Sequence, residues 1–497
     1  MDTALVSKLP IPESFEADYL EYNRFLPLEL SGDRVRVAVV GEVAHEVLED
    51  LELSYGVPLE LIPVSEDELL EGIRRTFASS ETVLELVKNL DEAFNPSVEG
   101  TDEGLPDARD LANQPPVIRF VNLLIREAHD ARASDIHLES TRDGLFARFR
   151  VDGVLAELPR PPKGLQAAIV SRIKLLAELD IAERRAPQDG RIRVRLEERE
   201  LDLRVSTVPT LYGESVVLRL LDRGGRPVGL EELGMAPDTL EAFRRLAERP
   251  HGILLATGPT GSGKTTTLYA ALALRDRTAE KIITVEDPVE YHLEGVTQVP
   301  VNVKAGTTFA GALRSILRQD PDVLMIGEIR DAETAAIGVQ AALTGHLVFS
   351  TLHTNDAPGA MIRLADLKVE PYLIAATVEG VLAQRLVRKV CPECRERYVP
   401  DPSAVALLAQ QPVGRLTLER GRGCASCRST GYRGRTGLFE LLVVTDEIKQ
   451  ALLNSPSATT LRGIARAQGM LTLRQDGWRK VQAGVTTVEE VLRVSET

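Results

Sequence analysis

Glycines, a lysine and hydroxyl residues fall at phosphate-binding spacing in Gly252-Ile-Leu-Leu-Ala-Thr-Gly258-Pro259-Thr260-Gly261-Ser262-Gly263-Lys264-Thr265-Thr266-Thr267. In a G-x-x-x-x-G-K-S/T loop the glycines let backbone N–H groups converge on phosphate oxygens, and the N-terminus of the next helix adds partial positive charge. Lys264 then reaches the β- and γ-phosphates, Thr265 holds Mg²⁺ through its hydroxyl, and the loop from Gly258 to Thr266 wraps the phosphate chain. The motif has meaning only between a strand and a helix. Residues 253–256 are an apolar run suited to a buried parallel strand, and residues 268–274 are helix-prone, so that context is present.

Three later segments place polar chemistry at the ends of apolar strands. Lys281-Ile-Ile-Thr-Val-Glu286-Asp287-Pro-Val-Glu290 puts carboxylates where ligands bind in open α/β sheets, which makes Glu286 and Asp287 candidate nucleotide-site residues. Asp322-Val-Leu-Met-Ile-Gly-Glu328 ends on an acid that can organise Mg²⁺ or polarise an attacking water. Leu347-Val-Phe-Ser-Thr-Leu-His353 ends on a histidine expected to be functional, while His346 is open between a site and a structural hydrogen bond.

All four cysteines fall in two C-x-x-C pairs, Cys391/Cys394 and Cys424/Cys427. Each pair can offer two thiolates to one tetrahedral Zn²⁺, and four thiolates leave no open coordination position for catalysis, so the site is expected to be structural. Neither pair has the βαβ surroundings of a redox C-x-x-C. Metal binding would contribute folding free energy to residues 386–438, which have little apolar core of their own.

The element pattern divides the chain. Residues 1–95 read as a small α/β adaptor in which Asp33, His45 and Glu49 are expected to be solvated surface. Residues 96–112 are an acidic linker with Pro and Gly. Residues 113–235 read as a helix and an antiparallel sheet, with apolar residues on one face and arginines, including Arg204 and Arg219, on the other. Arginine forks suit phosphate, so that face is expected to meet anions. Residues 236–497 hold the phosphate loop, the cysteine insertion and, from 445 to 497, amphipathic helices.

At 497 residues with 43% hydrophobic and 27% charged side chains, the chain is expected to form several globular domains. Lys+Arg at 59 against Asp+Glu at 74 give −15, which opposes nucleic acid as a partner and docking on anionic lipid by charge alone. No stretch of about 18 apolar residues exists and the start lacks a signal peptide, so a cytoplasmic protein without a transmembrane segment is expected.

These residues resemble the type II secretion and type IV pilus assembly ATPases. The resemblance runs from about Pro116 to Glu489. It rests on Gly258 to Thr265, on Ile283-Thr-Val-Glu-Asp-Pro-Val-Glu290, on Leu313-Arg-Ser-Ile-Leu-Arg318-Gln-Asp-Pro-Asp-Val-Leu-Met-Ile-Gly-Glu328-Ile-Arg-Asp, and on Thr344 to Thr354. Ala133-Ser-Asp-Ile-His and Gln188-Asp-Gly-Arg agree with it, as does Arg433-Gly-Arg435-Thr-Gly-Leu-Phe-Glu440, whose role spacing does not reveal. It implies an α/β multidomain fold, a RecA-like P-loop motor domain preceded by a PAS-like α+β domain. It further implies a homohexamer that binds ATP between those domains, with Glu328 acting on water and Arg204, Arg219, Arg314 and Arg318 approaching the phosphates. In the type II branch, residues 1–95 would dock on the cytoplasmic domain of an inner-membrane platform protein, beside a polytopic inner-membrane secretion protein. Hydrolysis would drive domain rotation and pseudopilus assembly; pilus assembly is the alternative reading. A nucleic-acid motor is opposed by the charge, and a non-catalytic ATP-binding scaffold by the presence of both Lys264 and Glu328.

Overall fold

Alternation of apolar and polar residues builds two of the sheets, and unbroken apolar runs build the third. The computed structural model describes residues 9, 15, 17–31, 34–41, 43–78, 82–84, 86, 87, 112–196, 199–222, 228–409, 416–454 and 457–495. The expected linker at 96–112 lies almost wholly outside the described residues, as does Asp33.

The first sheet has three strands, β1 (Phe25–Ser31), β2 (Arg34–Val39) and β3 (Leu59–Pro63), in that order. Val35, Val37 and Val39 of β2 turn into a core shared with Leu51, Leu69 and Ile73 of the helices His45–Tyr55 and Glu66–Ala78. His45 and Glu49 pair at 3.6 Å on the exposed helix surface.

The second sheet contains β4 (Ala133–Thr141), β5 (Gly144–Val151), β6 (Val154–Glu157), β7 (Gln188–Leu196), β8 (Arg199–Thr210) and β9 (Gly213–Asp222), all antiparallel, in the order β6-β5-β4-β9-β8-β7. Leu201, Leu203, Val205, Val216 and Leu218 face the helices Pro115–Asp130 and Gln166–Leu176. The alternate positions form a charged row in register: Arg191 opposite Arg204, Arg204 opposite Arg219, Arg219 opposite Asp135, and Asp135 opposite Arg150. From the sequence β7 is expected to begin at Ile192, after Gln188-Asp-Gly-Arg191. The strand in fact starts at Gln188. Gly190 is the reason: a Cβ there would stand 2.5 Å from the Ala177 carbonyl oxygen, so the glycine lets strand and helix end approach.

The third sheet is built from β10 (Gly252–Thr257), β11 (Ile282–Glu286), β12 (Thr297–Pro300), β13 (Val323–Ile326), β14 (Leu347–Leu352) and β15 (Val378–Val390). These six are parallel, in the order β12-β11-β13-β14-β10-β15. Two short strands, β16 (Arg395–Tyr398) and β17 (Leu418–Gly421), pair with each other, and β18 (Tyr432–Val443) adds antiparallel to β15 as the seventh strand of the main sheet. Every residue of β10, β11, β13 and β14 is buried. That is what continuous apolar runs covered on both faces produce, and separate cores lie around Ile253/Leu255 and Leu254/Ala256. The segment 386–438 begins and ends inside β15 and β18, so the cysteines stand at the far ends of two strands of the main sheet. Helices Asp446–Asn454, Ala458–Ala467, Leu473–Gln482 and Val488–Ser495 close the chain.

Candidate nucleotide site

Because β10 is parallel to both its neighbours, its C-terminal end opens beside theirs. The phosphate loop leaves this end and enters the helix Lys264–Leu272. Two loop glycines are required by their surroundings. Gly258 has φ +148 and a Cβ there would meet the Gln384 carbonyl oxygen at 2.5 Å; Gly263 has φ +88 and would meet Gln384 Nε2 at 2.8 Å. Lys264 is 8% exposed and donates to the carbonyls of Gly258 at 2.7 Å and Pro259 at 3.0 Å. Burial pushes its pKa down to about 8; Arg385 acts in the same direction and Glu328 against it. Thr265 and Thr266 are partly buried, Thr260 and Gly261 are exposed, and the hydroxyl of buried Ser262 has no partner among the described residues. A lysine held below its usual range in a cradle of N–H donors is suited to an anionic ligand that restores its proton.

Glu328 lies just beyond β13. Its side chain is 13% exposed, with Arg330 at 2.7 Å on one oxygen and His353 Nε2 at 3.3 Å on the other. Thr354, next in the chain, clasps the end of β10: its hydroxyl lies 2.7 Å from Thr257 Oγ1, and its N–H donates to the same oxygen at 2.8 Å. Lys264, Glu328 and His353 are thus gathered at the tips of three adjacent strands. His346 is elsewhere. It precedes β14, seven residues and about 23 Å from His353 along the strand, and its Nδ1 lies 2.8 Å from the Ala341 carbonyl oxygen at the end of the helix Ala332–Leu343.

Glu286 and Asp287 take different positions. Asp287 is exposed, whereas Glu286 is 2% exposed and accepts from Tyr269, from Thr284 at 2.5 Å and from Gln298 at 3.2 Å. Burial, and then the carboxylate beside it, raise the Tyr269 hydroxyl pKa. Tyr269 belongs to the helix that follows the loop, so Glu286 ties β11 to that helix. Arg204 reaches from the second sheet to the Val289 carbonyl at 3.5 Å, and burial lowers its pKa while Glu290 opposes the shift. Arg219 donates to Asp135 at 2.9 Å. Arg314, on the exposed side of the helix Phe309–Ile316, pairs with Glu333, and exposed Arg318, just past that helix, donates to the Arg314 carbonyl at 2.7 Å. Neither is bonded to the loop among the described residues.

Gln384 and Arg385 escaped the motif reading. Gln384 accepts from Thr267 at 2.7 Å, and Arg385 donates to the Gln384 and Asn355 carbonyls. Residues 378–383 read Val-Glu-Gly-Val-Leu-Ala, so Glu379 and Gly380 break the apolar run that identified Glu328 and His353 at the ends of their strands.

Cys391, Cys394, Cys424 and Cys427 come together with all four sulfurs within 4.8 Å of one another. The sulfur separations of 3.9 Å for Cys391–Cys424, 3.8 Å for Cys394–Cys427 and 3.7 Å for Cys424–Cys427 match the edge of about 3.8 Å that a tetrahedron with Zn–S near 2.3 Å requires. The Cys424 and Gly431 N–H groups each point at Cys427 Sγ at 3.2 Å, as donors toward a thiolate do. The cluster fits zinc.

The second and third sheets also touch near the cysteines. Asp152, in the β5–β6 turn, accepts from the Gly434 N–H at 2.8 Å and lies 3.5 Å from Arg435.

The family model described as "Type II/IV secretion system protein" matches residues 110–493, and a model described as "MshEN domain" matches residues 3–83. The chain is 51% identical to the type II secretion system protein E of Pseudomonas aeruginosa over 445 residues, 88% of each chain. It is 43% identical to the type IV pilus assembly ATPase PilB of Myxococcus xanthus over 477 residues, covering 95% of this chain and 84% of that one. Among solved structures, a crystal structure of the pilus retraction motor PilT with bound ADP aligns with a TM-score of 0.51 at 26% identity, covering 75% of this chain and 96% of that one. With a phosphate loop, an acid and a histidine gathered at adjacent strand tips and a family model spanning most of its length, the chain belongs to the type II/IV secretion system protein family.

Proposed function

We infer that the chain is the ATPase of a type II secretion system, and we propose that it acts in the cytoplasm as a homohexamer recruited to the inner membrane by protein partners. The observation that carries the reading is the meeting of Lys264, Glu328 and His353 beside one phosphate loop. The higher identity to a secretion protein E than to a pilus assembly ATPase supports the secretion branch over its runner-up.

In this reading the loop N–H groups from Gly258 to Thr266 and Lys264 bind the ATP phosphates. Thr265, with an acid, would supply oxygen ligands for Mg²⁺, which would neutralise phosphate charge when bound. Glu328 orients the attacking water, and His353 and Arg330 hold its carboxylate in place. Glu286 contributes from below, by fixing Tyr269 and the loop helix. The second sheet is the PAS-like domain, and its closure brings Arg204 and Arg219 to the nucleotide. Arg314 and Arg318, exposed on this chain, serve a neighbouring subunit. Arginines that arrive from another domain or subunit raise rates about 10³- to 10⁵-fold, so the isolated subunit turns over slowly. Cys391, Cys394, Cys424 and Cys427 hold a structural Zn²⁺. Residues 1–95 dock on the cytoplasmic domain of the platform protein, next to the polytopic secretion protein. Among the described residues no helix is long and apolar enough to cross a membrane.

The test is ATP turnover of the full chain and of a chain starting near Ala112, alone and with the platform domain, followed against oligomer mass. Stimulation of the full chain alone, together with ring formation, supports the reading. Equal, unresponsive turnover of both would redirect it to pilus assembly. A soluble monomer as fast as the assembled ring would sink the arginine argument.

A further inference from the structure

Arg385 is a buried cation beside the phosphate loop with no carboxylate in ion-pair contact among the described residues. Arg385 is 6% exposed, and its close acceptors are uncharged: Nη1 donates to the Gln384 carbonyl at 3.1 Å and Nη2 to the Asn355 carbonyl at 3.0 Å, with Asn355 Oδ1 at 3.5 Å. Glu440 and Asp356 exert only a distant pull on it. Both are engaged elsewhere: Glu440 accepts from the Ala357 N–H at 2.9 Å, and Asp356 pairs with Arg462. A buried charge is retained at a cost unless something neutralises it.

The register shows what can. Thr257 pairs with Ala383, so Gln384 and Arg385 run on beside the first turn of the loop. A Cβ on Gly258 would stand 3.0 Å from Arg385 Nη1. Lys264 holds the carbonyl of this same Gly258 at 2.7 Å, so two buried cations flank one loop residue. On its other side the guanidinium holds Asn355, directly after the Thr354 that clasps Thr257. The fork therefore ties the turn after β14 to the middle of β15, and its charge lies beside the Gly258 turn of the loop.

We propose that Arg385 is a positioning residue of the phosphate site: its fork ties the Thr354–Asn355 turn to the stretch of β15 that packs against Gly258, and its charge adds to the field that draws a nucleotide polyphosphate into the loop. This rests on the nucleotide reading above and names a residue that acts through the loop and not by touching the phosphates. Arginine is suited to both tasks. A lysine would keep the charge but could not span two carbonyls with one rigid plane.

The test compares Arg385→Gln and Arg385→Lys with wild type in the full chain, measuring affinities for ADP and adenosine at two salt concentrations, together with kcat and KM for ATP. Arg385→Gln is expected to weaken ADP about tenfold, to leave adenosine unchanged, and to flatten the salt dependence of ADP binding. Arg385→Lys is expected to keep ADP affinity within about threefold and to lower kcat about tenfold, because charge survives and the fork does not. Wild-type ADP affinity in Arg385→Gln, or equal loss of ADP and adenosine, overturns the charge argument. If Arg385→Gln fails to fold, Arg385→Lys decides, and wild-type kcat there overturns the proposal. A wild-type chain that binds adenosine but gains nothing from the phosphates of ADP overturns the nucleotide reading itself, a pattern that no Arg385 variant can mimic.

Discussion

Glu328 and His353 meet at 3.3 Å across the ends of two neighbouring parallel strands, and Arg330 holds the other carboxylate oxygen at 2.7 Å. Held on both sides, the acid has a fixed orientation toward the mouth of the phosphate loop. Glu328→Gln should keep the shape and ATP affinity while lowering turnover about 10²- to 10⁴-fold, the usual contribution of a positioned acid or base. Nucleotide binding and steady-state hydrolysis on the same preparation check this. Near-normal turnover would move the water-orienting role to another acid.

The depressed pKa of Lys264 predicts proton uptake on binding. In the fold its pKa is about 8, against about 10.4 for an unperturbed lysine. The folded protein thus carries a protonation cost that is full below pH 8 and absent well above pH 10, and anionic phosphates remove it. ADP binding at pH 8.5 should take up a fraction of a proton, and much less at pH 7, where Lys264 is already protonated. Calorimetry in buffers of different ionisation enthalpy measures the uptake. An enthalpy independent of buffer at pH 8.5 would contradict the prediction.

The cysteine geometry predicts one zinc per chain, lost in Cys394→Ser. Because Cys391 follows β15 directly, loss of the metal should loosen the ends of β15 and β18 and lower the melting temperature by about 5 °C or more. Metal analysis, calorimetric melting and hydrogen exchange of residues 386–438 read this out. A metal-free chain with unchanged melting would make the cluster dispensable for folding.

Glu490 predicts acid sensitivity in the C-terminal helices. Burial would raise its pKa, yet Arg493 at 2.8 Å and Arg388 at 2.6 Å hold it down to about 2. A carboxylate depressed in the fold contributes stability that is full above its unfolded value near 4.3 and lost as pH falls from there toward 2. Glu490→Gln should cost about 3 kcal/mol at pH 7, the scale for breaking a buried pair, and about half of that difference should be gone by pH 3. Denaturant melts of both proteins at the two pH values test it.

The nucleotide centre was legible because each part announces itself locally: a glycine-rich loop, an acid or a histidine that ends an apolar run. His346 was undecided in sequence because a histidine near a strand looks alike at either end, and only chain direction in the sheet separates it from His353. Glu286 read as a ligand-facing acid for the same local reason. Its burial depends on Tyr269 and Gln298, which arrive from a helix and an edge strand that no spacing connects to it. Arg385 was invisible because strand order, not sequence distance, puts β15 next to β10. β7 begins four residues before the expected Ile192 because Gly190, a residue that weakens most strands, is required here by the Ala177 carbonyl, which fills the space where a side chain would be.

The burial of β15 decides where motion is possible. Its first eight residues are all buried between β10 and β18, and its amides should be among the slowest in the molecule to exchange with solvent. The loop it borders is therefore mounted on an immobile frame. The arginine sheet, by contrast, is hydrogen-bonded or ion-paired to that frame, among the described residues, at Asp152 with Gly434 and Arg435 and at Arg204 with Val289. One hydrogen bond and one ion pair at Asp152 are the catch that would have to open before the arginine sheet could turn against that frame.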